Sequence, residues 1–85
     1  MKNLTTVMGE EINRGITEMY TKALQETDIQ KIVFEWQRLT NTTSFILDKF
    51  MNGEISTEEA TCLKDKINQA SYIIEKHLEF ITYKC

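Results

Sequence analysis

Met51-Asn52-Gly53-Glu54-Ile55-Ser56-Thr57-Glu58-Glu59-Ala60 is the stretch that decides how this chain divides into elements. Asn52-Gly53 ends a helix, because glycine takes the left-handed backbone of a helix C-terminus without the steric cost a Cβ would bring. Ser56 with Glu59 three residues on has the spacing of a capping box, in which each side chain bonds the other residue's backbone N–H. Thr57-Glu58-Glu59 also sets acid at the positive end of the new helix dipole. One helix therefore stops near residue 51 and another starts at 57.

Downstream of this boundary the apolar positions Ala60, Leu63, Ile67, Ala70, Ile74, His77 and Ile81 follow 3,4 spacing to about residue 83. Upstream, a regular heptad runs through Ile29, Trp36, Thr43 and Phe50 and through Ile32, Leu39 and Ile46. Thr40-Asn41-Thr42-Thr43-Ser44 is poor in helix formers, yet it contains no Gly or Pro, and one continuous helix over residues 28–51 is expected. Thr27 with Gln30 has capping-box spacing at its start. A first helix over roughly 4–25 carries Leu4, Met8, Ile12, Ile16, Met19 and Ala23. Gly9 and Gly15 lie inside it, each costing about 1 kcal/mol relative to Ala. Close packing against a neighbouring helix is the expected reason for Gly15.

These elements predict an all-α fold, an antiparallel up-down-up three-helix bundle forming a single domain over residues 1–85, with dimerisation as an option. The chain has 85 residues and is 41% hydrophobic, enough for a small core. Its net charge is −3, with 10 basic residues scattered singly or in loose pairs, which disfavours binding to nucleic-acid phosphates or anionic lipid. No run approaches the ~20 apolar residues of a membrane span, so no membrane association is expected. The start of the chain lacks the apolar core of a signal peptide, and a cytoplasmic location is expected. On that reading the Asn-x-Ser/Thr matches at Asn3 and Asn41 are chance.

Cys62 and Cys85 on one helix would lie ~34 Å apart at ~1.5 Å per residue, far beyond disulfide reach, and are expected as free thiols. There is no nucleophile motif, phosphate loop or Cys-x-x-Cys pair. The pairs Glu10-Glu11 and Glu58-Glu59 read as solvated or helix-start charge, because adjacent helical residues point in different directions. Lys66 and Glu75 read as part of the wet side of the third helix. His77, the single histidine, has Ile73, Ile74, Phe80 and Ile81 as helical neighbours, which suits a core or boundary position better than a metal site. No catalytic residue, metal or cofactor is expected.

Apolar side chains outside the seams carry the functional reading. Phe34 and Phe45 are 11 residues apart, three turns, on one side of the second helix with Arg38 between them. Aromatic residues and arginine are enriched in interface hot spots. Ile73, Leu78 and Phe80 widen the apolar face of the third helix beyond what two neighbours usually cover. The competing reading is that helix one covers Phe34 and Phe45 and that the apolar residues of the third helix simply complete the core. The expected function is a non-catalytic protein-binding regulator (an inhibitor, immunity protein, adaptor or small chaperone) whose partner-binding residues are Phe34, Arg38, Phe45, Ile73, Leu78 and Phe80. The alternatives are a structural homodimer paired through the third helix and, behind it, a helical nucleic-acid-binding protein. The partner is thus another protein, a second copy, or both.

Overall fold

A computed structural model describes residues 6–84 of the chain. Leu4 and the motif at Asn3 lie outside the described residues, as does Cys85. Three helices pack against one another: α1 (Val7–Gln25), α2 (Ile29–Met51) and α3 (Thr57–Lys84), with no strand among the described residues.

The boundaries have local causes. Thr6 caps α1, its side chain accepting from the N–H of Gly9 at 2.9 Å. The α2 cap is Asp28, whose Oδ1 accepts from Gln30 N–H at 3.0 Å. Thr27 therefore does not cap α2: the cap falls one residue later, where a carboxylate reaches the first turn more readily than the threonine hydroxyl before it. At the other end Gly53 takes φ +79, its N–H bonds Phe50 O, and Glu54 N–H bonds Lys49 O at 2.9 Å. Those two bonds are the Schellman pattern. The Ser56–Glu59 capping box forms in both directions, Ser56 N to Glu59 Oε1 at 2.9 Å and Glu59 N to Ser56 Oγ at 3.1 Å.

The α2 helix is continuous through its threonine-rich middle. Thr40 Oγ1 donates to Gln37 O and Thr42 Oγ1 to Arg38 O, so these hydroxyls bond carbonyls of the preceding turn.

The core is built from Ile12, Ile16, Met19 and Ala23 of α1, Ile32, Leu39 and Ile46 of α2, and Ala60, Leu63, Ile67, Ala70 and Ile74 of α3, with Ile55 closing the end beside them. Only one of the two α2 heptad rows is sealed. Trp36 packs half-buried against the core, while Ile29 and Phe50 remain exposed.

Polar ties bind the helices pairwise. Trp36 Nε1 donates to Glu75 at 3.1 Å, joining α2 to α3. Lys66 Nζ donates to Asn13 Oδ1 and to Thr17 Oγ1, joining α3 to α1. Both side chains thus cross helix seams: Lys66 is half-buried, which corrects its wet-side reading, while Glu75 stays exposed as expected. His77 is half-buried, as a boundary histidine should be, with Nε2 3.0 Å from the backbone oxygen of Glu26 just past α1.

Two further readings are settled at the start of α1. Of the two readings of Glu59, helix-start charge holds and solvated surface does not, because its carboxylate is fully buried. While Oε1 serves the α3 cap, Oε2 accepts from both Thr6 N–H and Thr6 Oγ1 at 2.9 Å. One carboxylate therefore serves the caps of two helices. Gly9 makes this possible, since a Cβ there would sit 2.6 Å from Glu59 Oε2. Gly15, by contrast, has no neighbour within 4 Å of where its Cβ would be. The close approach expected at Gly15 occurs at Gly9, because the carboxylate comes to the first turn of α1 and not to its middle.

Candidate interaction surface

On α2 the residues facing the core step by sevens, Ile32, Leu39 and Ile46. Phe34, Arg38 and Phe45 lie well round the helix from that row, on the flank towards α1. Helix α1 does not extend far enough to cover them: Phe34 is 56% and Phe45 45% exposed. Each ring is instead roofed by a cation one turn on. The Arg38 guanidinium lies 5.7 Å from the centre of Phe34, and Lys49 Nζ lies 5.1 Å from that of Phe45. Arg38 also pairs with Glu35 at 3.2 Å, and Lys49 with Glu54 at 3.4 Å. Contacts of this kind contribute roughly 0.5–1 kcal/mol at exposed sites and hold the aromatic and the charged group in one orientation.

The three α3 residues do not share one environment. Ile73 is 42% and Phe80 60% exposed, whereas Leu78 is half-buried against the core. Ile73 lines a shallow cleft with Ile16, Tyr20, Lys66, Gln69 and Ala70 on the α1–α3 side. Tyr72, exposed and carrying Lys76 Nζ 5.4 Å from its ring centre, repeats the α2 arrangement. The six residues singled out from sequence thus divide into a ring–cation flank on α2, two exposed apolar side chains on α3, and Leu78 among the packed ones.

Sequence reading missed two parts of this surface. One is the partnership of Phe45 with Lys49, which the aromatic–cation spacing of four would have disclosed, as it would for Phe34 with Arg38 and Tyr72 with Lys76. The other is a hollow of about 340 Å³ between α1 and α2, lined by Met8, Glu11, Ile12, Gly15, Met19, Thr42 and Phe45. Gly15 leaves this hollow open, and no local signal separates a glycine in a hollow from one in a tight seam.

Among the described residues no group of three or more His, Cys, Asp and Glu side chains is placed to hold a metal ion, and no helix is long and apolar enough to cross a membrane. Cys62 is a half-buried free thiol. By architecture the chain is an all-helical bundle. No protein-family model matches it, and neither a curated protein nor a solved structure does.

Proposed function

We propose that this chain is a non-catalytic protein-binding bundle, a regulator of the inhibitor, immunity, adaptor or small-chaperone kind, working in the cytoplasm. Its contact surface is the α2 flank of Phe34, Arg38 and Phe45. What carries the reading is that a closed core lies beside two exposed phenylalanines held in place by cations. A bundle with a sealed interior has no packing use for them, and aromatic–arginine clusters of this kind dominate binding energy at protein interfaces. Ile73 and Phe80 of α3 form the secondary contact.

The proposal takes the bundle as up-down-up. Three contacts support that order: Thr6 with Glu59 at the starts of α1 and α3, His77 with Glu26 near their ends, and Trp36 with Glu75 early in α2 and late in α3.

Capture from native lysate by the wild-type chain, set against a Phe34→Ala/Phe45→Ala variant of unchanged helicity, tests the reading. Bound proteins should be lost from the variant. An identical set bound by both would overturn the assignment of this surface.

A further inference from the structure

The α1–α2 side of the bundle carries two parallel rows of residues. On α1 the row is Glu11, Gly15, Glu18 and Lys22, and on α2 it is Phe34, Arg38, Thr42, Phe45 and Lys49. Each row steps by three or four residues and so stays on one side of its helix. Shared hollows set the register between the rows. Lys22 lines one with Phe34 and Glu35, and Glu11 and Gly15 line another with Thr42 and Phe45. Glu18, between Gly15 and Lys22, is therefore level with Arg38, and Glu11 with Phe45 and Lys49.

Charge is divided across this side. Glu11 and Glu18 on α1 make no ion pair within the chain among the described residues, and neither does Lys22. The α2 row holds Arg38 and Lys49. Between them lies the open floor at Gly15, and beside it the exposed ring of Phe45.

Resting on the protein-binding reading above, we infer that the occupant of this side is a second copy of the chain, related by a twofold axis parallel to the helices. That operation lays α1 of each copy on α2 of the other at the same level. The partner's Phe45 then enters the hollow over Gly15. Glu11 and Glu18 face the partner's Lys49 and Arg38. Every contact occurs twice, as an isologous interface requires. A twofold axis perpendicular to the helices would instead lay α1 on α1, setting Glu11 and Glu18 against their own copies. Like charges in contact make that arrangement unfavourable, so the charge pattern selects the first.

The face spans about 15 residues, ~22 Å along the helices, and two helix diameters, ~20 Å, across. It therefore buries on the order of 500 Å² per copy, below the ~800 Å² of a standard interface. A dimer of this size is weak.

Sedimentation velocity of the full chain from about 1 to about 500 µM at low salt should show a concentration-dependent dimer that weakens as salt is added. Glu11→Lys/Glu18→Lys should weaken it at least tenfold, and so should Arg38→Glu/Lys49→Glu. Mixing the two variants should restore a heterodimer as tight as the wild type, a result that misfolding of either variant cannot produce. Gly15→Leu, which fills the hollow on an open helix surface, should weaken association about tenfold with unchanged helicity. A strict monomer throughout the range overturns the inference. So does a dimer that ignores both charge reversals, or one lost only on Ile73→Ser/Phe80→Ser, which would set the interface on α3. The preceding proposal fails on a separate observation, an identical set of captured proteins with and without Phe34 and Phe45, whereas a monomer whose captured proteins depend on these two residues sinks the second copy and leaves the protein-binding reading standing.

Discussion

The pole around Glu59 and the outer flank of α2 both combine charge with structure, and they do so in opposite ways. At the pole a carboxylate is wholly withdrawn from water and satisfied by donors from two helix starts. On the flank, cations lie over phenylalanine rings that stay about half exposed. A buried polar group is tolerated only when its hydrogen bonds are made, which fixes backbone against backbone. An exposed ring with a cation above it fixes nothing beyond its own helix. The pole therefore ties the starts of α1 and α3 together, and the flank remains available for another surface.

Substitution can break the contrast, and the largest effect should come from the pole. Glu59→Ala strips Thr6 and Ser56 of their acceptor and leaves part-buried donors unmet at two helix starts, with an expected loss of about 2 kcal/mol or more in a urea titration. Gly9→Ala comes next. Its methyl group would meet the Glu59 carboxylate, and about 2 kcal/mol should be lost from overpacking and a displaced cap. A silent Gly9→Ala would mean that the shared cap has room for a methyl group.

Gly15→Ala should act with the opposite sign. Its Cβ meets nothing and the helix gains propensity, so stability should rise by about 1 kcal/mol. Opposite outcomes for two glycines six residues apart in one helix would show that their surroundings, and not their residue type, set the effect. The smallest change is expected on the flank, where Phe34→Ser should alter stability by no more than about 0.5 kcal/mol when measured at low protein concentration. A loss of several kcal/mol there would mean that Phe34 is core, leaving the proposed surface without its anchor.

Much of the fold was legible in the chain because its signals are short-range. The stop at Asn52-Gly53, the start at Ser56–Glu59 and the 3,4 spacing of Leu63, Ile67 and Ile74 each involve residues within a turn or two of one another. The threonine-rich middle of α2 was readable for the same reason, since without Gly or Pro nothing local breaks it. The α2 start was misplaced by one residue, because Thr27 and Asp28 are both good caps and the choice between them is a matter of geometry.

What lay beyond the sequence was how far round each helix its neighbours reach. Periodicity gives the direction of Phe34, Phe45, Ile73 and Leu78 about their own helix axes. It does not say that α1 leaves the two phenylalanines uncovered while Leu78 is packed away. Glu59 is the clearest case: its partner Ser56 is three residues off and was readable, while its partner Thr6 lies 53 residues away and was not. Local hydrogen bonds and helical period thus determined the elements of this protein. Burial depends on two surfaces at once, so tertiary packing alone decided which glycine was crowded, which acid was hidden and which aromatic rings stayed in water.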